Sequence, residues 1–212
     1  MTPGKRIFDL LVAILLLALL WPVIAILALA ILVLDGGPVL YRSERMRTPQ
    51  QPFTLWKFRT MRMVSDDSGV SGGDKAHRIT RTGRFLRRTR ADELPQLWNV
   101  LRGDLSFVGP RPPLRRYVEL RPDLYADVLR QRPGITGLAT LVYHRTEERL
   151  LSACRTADET ERVYVTRCVP RKAALDRIYA ARRSLSLDLR LMVATLFRRC
   201  APGRFARRQS PS

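Results

Sequence analysis

The longest apolar stretch is an uncharged run over residues 10–34 with Pro22 at its centre. Wound as a helix it exceeds the roughly 20 residues that a bilayer core requires, so the pattern predicts a membrane helix. Pro22 has no amide to donate to the Ala18 carbonyl, and its ring crowds that carbonyl, so a bend is expected at mid-depth. Lys5 and Arg6 precede the run while Arg42, Arg45 and Arg47 follow it, which leaves the positive-inside rule without a preferred end. Two geometries satisfy this pattern: a kinked span, or a re-entrant helix with both ends on one side. A cleaved signal peptide does not, because its apolar region is typically about 7 to 15 residues and the Leu34, Asp35, Gly36, Gly37 step is a poor cleavage site.

Downstream, Gly36, Gly37 and Pro38 break the run. Residues 39–41 and 53–59 read as short strands joined by a polar turn. Two-residue periodicity puts Lys57 and Arg59 on one face of the second, as a phosphate clamp or as a solvated basic edge. Residues 65–75 are small, polar and glycine-rich, which predicts a mobile loop, either a lid or a plain connection. Leu94, Leu97, Trp98 and Leu101 follow helical spacing and predict an amphipathic helix over 91–102, ended by Gly103. Pro95 fits only its first turn, so the helix starts near Asp92 and Glu93. A strand over 105–108 runs into a proline-rich turn at 109–113, a helical stretch follows around 124–131, and a second rigid turn covers 132–137. Near the end, Leu187, Leu191, Val193, Ala194, Leu196 and Phe197 form an apolar helix too short and too charged to span, suited equally to the interface and to a core.

Charge changes this picture. The formal net charge is +19, from 38 basic residues of which only Lys5, Lys57, Lys75 and Lys172 are lysine. Arginine suits nucleic acid, anionic headgroups or a phosphorylated substrate alike. The apolar run decides among them, since a basic protein at a membrane meets anionic headgroups first, at about 1 kcal/mol per basic residue near the surface. Cys154, Cys168 and Cys200 are widely spaced and suggest neither a disulfide framework nor a thiolate metal site, in keeping with a reducing cytoplasm. His77 and His144 stand alone, against a histidine zinc site or a serine-histidine triad.

Asp92 and Glu93 are the sharpest chemical pair. Carboxylates at a helix start are kept ionised by free backbone donors, which suits a nucleophile or a metal ligand and equally suits ordinary capping. Adjacent helical residues point about 100° apart, so the two divide their labour rather than interchange. Arg111 lies between Pro110 and Pro112, on a stiff backbone that presents its guanidinium with little entropy to lose. Two carboxylates, positioned basic groups and an anchor together suit chemistry on a diphosphate whose acceptor or product is lipid-borne. Magnesium, which takes hard oxygens from one or two carboxylates plus phosphates, is the expected ion.

Residue for residue, the chain resembles the bacterial sugar transferases, the monotopic phosphoglycosyl transferases that act on polyprenyl phosphate. The resemblance rests on KRIFDLL from Lys5, GPVLY from Gly37, FTLWKFRTM from Phe53, the unbroken block RITRTGRFLRRTRADELPQLWNVLRGDLSFVGPRPP from Arg78, RPGITGLA from Arg132, and LDRIY and LSLDL near the end. It implies that Asp92 is the nucleophile on the sugar-bearing phosphate of a UDP-sugar and Glu93 a magnesium ligand. Lys57, Arg59 and Arg111 would hold phosphates. UMP would leave, and polyprenyl phosphate would take the phosphosugar from Asp92. The implied fold class is α+β, mainly helical: a re-entrant helix bent at Pro22 in residues 1–36, one compact cytoplasmic domain over 37–200 with short strands and interfacial amphipathic helices, and a basic disordered tail over 201–212. The implied partners are a UDP-sugar, polyprenyl phosphate and membrane lipids at the bacterial inner membrane, with no nucleic acid. A non-enzymatic basic adaptor on anionic lipid or nucleic acid is the rival reading. The chain departs from the family pattern in having Trp21 where serine is usual before the helix proline, Arg47 and Gln50 where glycines are common, and LATLVYHRTEERLL after the RPGITG motif.

Overall fold

The computed structural model describes residues 1–64 and 73–196. The expected lid over 65–72 and the expected disordered tail over 201–212 lie outside the described residues; 73–75, assigned above to the loop, begin a short 3-10 helix, Gly73–Arg78. The described residues are mainly helical, with two separate two-stranded sheets among them.

Helix α1 (Pro3–Asp35) begins at Thr2, whose hydroxyl accepts from the Lys5 amide, and ends at Gly36 in the left-handed region at φ 73°. It is helical without interruption through Pro22. Its two halves pack on different parts of the same body. Val12, Ala13, Leu16 and Leu17 join the main core around Leu97, Val100 and Leu105, whereas Ile24, Leu27, Ala28 and Ile31 pack with Phe58 and Leu86.

Both ends of α1 are also tied down. Lys5 pairs with buried Asp188, and Arg6 donates to the Val100 and Leu101 carbonyls at 2.6 and 2.9 Å. At the far end Thr80 donates to the Asp35 carboxylate at 2.8 Å, and Arg59 donates to the carbonyls of Asp35 and Gly36.

Strands β1 (Leu40–Met46) and β2 (Pro52–Phe58) form an antiparallel hairpin, in register from Leu40 opposite Phe58 to Met46 opposite Pro52. The first is longer than its apolar pattern suggests because exposed polar residues alternate along it. Helix α2 (Arg81–Thr89) is followed by α3 (Gln96–Arg102), which packs against β2. Asn99, fully buried, accepts from the Trp56 amide and donates to the Thr54 carbonyl, satisfying two backbone groups of β2. That contact turns Asn99 and Val100 inward, so Trp98, expected on the buried face, is 53% exposed.

Strand β3 (Ser106–Val108) pairs in parallel with β4 (Gly134–Thr136). The chains approach so closely there that a Cβ on Gly134 would lie 2.2 Å from the Gly109 amide nitrogen. Between them come α4 (Arg115–Leu120) and α5 (Pro122–Val128); α6 (Leu138–Ser152), α7 (Ala157–Val163), α8 (Val169–Arg182) and α9 (Leu185–Leu196) complete the domain. The two readings of the last apolar helix each own one face of α9. Leu191 and Ala194 are buried with Asp188, while Leu185, Leu189 and Val193, four residues apart, are exposed.

Candidate active site

Helix α2 ends where Arg90 adopts the left-handed conformation at φ 60°, an unusual position for a side chain of that size. The reversal throws the next three residues, Ala91–Glu93, into a single 3-10 turn ahead of α3, with Pro95 at the N-cap of that helix. Asp92 and Glu93 therefore stand in a turn before the helix rather than in its first turn. Both are buried.

Three cations from three different segments converge on Glu93. Lys57 of β2 and Arg111 of the loop after β3 each lie 3.1 Å from its Oε1, and Arg90 lies 3.6 Å from its Oε2. Lys57 also faces Asp92 at 3.7 Å, so one ammonium is shared by both carboxylates. The consequence is an electrostatic division. Burial pushes the Glu93 carboxyl up, but Lys57, Arg111 and Arg90 outweigh it and hold the group far below the usual carboxylate range. At Asp92 burial and the neighbouring Glu93 outweigh Lys57, Arg111 and Arg87, and the carboxyl is raised. Glu93 is a fixed anion; Asp92 is the more basic carboxylate and lines the adjoining cavity.

That cavity holds about 530 Å³ and runs from Asp92, Lys57 and Arg111 to a wall on α6 and α8. There Lys172 donates to both carboxylate oxygens of Glu147, at 2.8 and 3.2 Å, and lies 5.2 Å from the centre of the Tyr164 ring. Asp176 lines the same wall, its carboxyl pushed up to about 7 by burial.

Of the residues singled out in the sequence, Asp92, Glu93, Lys57 and Arg111 come together. Arg59 does not join them on a shared strand face: β2 ends at Phe58, so the two-residue alternation no longer applies to it. Arg59 borders the cavity, yet its Nη2 is engaged by the carbonyls that close α1. Pro22 lies on the exposed side of α1, distant in sequence from every cavity-lining residue. Sequence reasoning missed Arg45, Arg87, Arg90, Glu147, Lys172 and Asp176. One signal was available for part of this. In a chain that uses arginine almost everywhere, Lys5 and Lys75 are buried and Lys57 and Lys172 half-buried, and three of these four lysines line the cavity.

Comparison with known proteins gives a consistent picture. The chain is 35% identical over 198 residues to a UDP-glucose:undecaprenyl-phosphate glucose-1-phosphate transferase of Klebsiella pneumoniae, covering 92% of this chain and 39% of that protein. A Caulobacter vibrioides protein of the same name is 45% identical over 139 residues, 64% of this chain and 52% of the relative. The UDP-N-acetylgalactosamine-undecaprenyl-phosphate N-acetylgalactosaminephosphotransferase of Aeromonas hydrophila is 37% identical over 145 residues, 66% of this chain and 34% of the relative. The chain thus spans about two fifths to one half of the length of the first two and about a third of the third. The bacterial sugar transferase profile matches residues 2–201, dyad and cavity included, and the chain belongs to that family.

Proposed function

We propose that this chain transfers a sugar 1-phosphate from a UDP-sugar to undecaprenyl phosphate, releasing UMP, and so begins assembly of a polysaccharide or glycoconjugate. The observation that carries the reading is the asymmetry of the dyad: Glu93 is surrounded by three cations, two of them on Oε1, while Asp92 keeps a raised pKa and lines the cavity. The names of the relatives share a UDP-sugar or undecaprenyl-phosphate chemistry and differ in the sugar, so the common chemistry is what transfers.

In the first step an Asp92 oxygen bonds to the sugar-bearing phosphorus, and the bond from that phosphorus to the bridging oxygen breaks. Its electron pair leaves with UMP. A phosphate oxygen of the lipid then attacks the same phosphorus and frees the carboxylate. Lys57, beside both carboxylates, offsets phosphate charge during attack. Magnesium would be held at Glu93 through Oε2, whose contact to Arg90 at 3.6 Å is longer than the two 3.1 Å contacts on Oε1; no group of three histidine, cysteine or acidic side chains gathers among the described residues, so phosphate oxygens and water would fill the remaining positions. When bound, the ion would offset phosphate charge. Purified protein given UDP-sugars and undecaprenyl phosphate should release UMP and lose this activity in EDTA; release of UDP would identify an ordinary glycosyltransferase instead.

The membrane arrangement we favour is the re-entrant one, at the cytoplasmic face of the inner membrane. What supports it is that both ends of α1 are tied to one domain, through Arg6 to the Val100 and Leu101 carbonyls and through Asp35 to Thr80, while Leu15, Leu19 and Trp21 between them are exposed. Exposed Phe85, Trp98, Leu185, Leu189 and Val193 suit contact with the interface. Cysteines introduced singly at Gly4 and Gly37, where a side chain meets nothing within 4 Å, should both react with an impermeant thiol reagent from the same face. Labelling from opposite faces would establish a span.

A further inference from the structure

Arg45 is a half-buried cation with no ion-pair partner among the described residues. It stands on β1 opposite Phe53 and borders the cavity that holds Asp92. Its Nε is buried without a hydrogen-bond partner, and its side chain forms no ion pair among the described residues. The neighbours that act on it are another guanidinium, Arg111, and the rings of Tyr164, Tyr41 and Tyr117. Burial, then Arg111, lower its pKa, so both desolvation and like charge oppose the cation at this position.

No acidic side chain pairs with it among the described residues. Glu93 is taken by Lys57, Arg111 and Arg90, and Glu147 by Lys172. Arginine stays charged in proteins, so it cannot escape the cost by losing its proton. A half-buried guanidinium with a buried, unpartnered Nε, close enough to a second guanidinium to feel its charge, is stabilised by an anion bound near both. All three cations border the cavity: Lys57 is next to Asp92, Arg111 is held by the adjacent Glu93, and Arg45 lies within electrostatic reach of Arg111.

We propose that Arg45 and Arg111 together clamp the phosphate that departs as UMP, while Lys57 meets the phosphate that Asp92 attacks. This rests on the transferase reading given above. As the bond to the bridging oxygen breaks, the electron pair settles on an oxygen of UMP, and two permanent cations lie ready to offset that charge with no proton transferred. Arg45 is in this sense a substrate-binding residue whose contribution grows as the leaving group forms.

The test compares full-length wild type with Arg45→Met and Arg45→Lys in detergent, by thermal unfolding with and without UMP, UMP titration, and undecaprenyl phosphate titration. Arg45→Met should unfold at the same temperature as the unliganded wild type or higher, because an apolar side chain of similar length replaces an uncompensated charge. UMP binding should weaken roughly 10- to 100-fold, and the stabilisation by UMP should shrink accordingly. Undecaprenyl phosphate binding should stay within twofold, UMP release should fall about 100-fold or more, and Arg45→Lys should recover part of both UMP effects. A clearly lower unfolding temperature for unliganded Arg45→Met would make the residue structural and overturn the proposal. Unchanged UMP affinity, or a loss confined to undecaprenyl phosphate, would overturn it too. The UMP titration needs no turnover, so a wild type that binds UMP through Arg45 but releases none from UDP-sugars would sink the transferase reading and leave the clamp standing.

Discussion

Asp92→Asn should abolish UMP release, by about four orders of magnitude or more, while leaving the fold intact. The size follows from the role: a carboxylate that forms the covalent link has no substitute in an amide, and loss of a nucleophile removes most of the catalytic advantage. The stability prediction has its own sign. Asp92 has a folded-state pKa raised above its ordinary value of 3.8, so its contribution to stability is fully present below that value and is lost as pH rises through the folded pKa. At neutral pH the ionised group therefore disfavours the folded state relative to a neutral one, and the amide should unfold at the same temperature or higher. Intact-protein mass measurement supplies the complementary readout. Wild type incubated with a UDP-sugar and no lipid should gain the mass of one phosphosugar, and Asp92→Asn should not. A variant that loses activity together with several degrees of unfolding temperature would instead assign Asp92 a structural role.

Glu93→Gln should behave in the opposite way, losing stability as well as activity. Removing the charge leaves Lys57, Arg90 and Arg111 facing one another around a buried amide. Breaking a buried ionic cluster by deleting one partner costs about 3 to 5 kcal/mol. The pH dependence follows from the depressed folded-state pKa. Stability from Glu93 is present above its ordinary value of 4.5 and declines as pH falls below it toward the folded value. Wild type and Glu93→Gln should accordingly differ most at neutral pH and converge as the solution is acidified. Denaturant unfolding at pH 7 and at several acid values checks both the size and the convergence. Equal stability at pH 7 would show that the cluster is not what holds this turn.

How much of this was legible in the chain varies residue by residue. The apolar run and its proline lie in one continuous segment, and hydropathy reports them directly. Lys57 and Arg111 could be singled out because each sits in a locally distinctive setting, an apolar strand and a proline-rich turn. Arg59 shared that first setting but met the carbonyls at the end of α1, since the strand stops one residue earlier. Trp98 followed the helical spacing of its apolar neighbours, yet Asn99 lies inward because it completes the backbone hydrogen bonding of β2. Arg45 gave no local sign at all: in the polar turn expected after residues 39–41 it reads as one more basic residue of a basic chain.

By itself, then, the sequence determined the long apolar helix, the positions of its breakers, the hairpin, and the adjacency of Asp92 and Glu93. These depend on hydropathy, on proline and glycine geometry, and on neighbours along the chain. Tertiary structure alone decided that Glu93 is the fixed anion and Asp92 the more basic carboxylate lining the cavity, that both ends of α1 are tied to one body, and that Arg45 lies within electrostatic reach of Arg111 with no ion-pair partner among the described residues. Each of these is set by burial and by Coulomb interaction, which follow distance through space and have no fixed relation to separation along the chain.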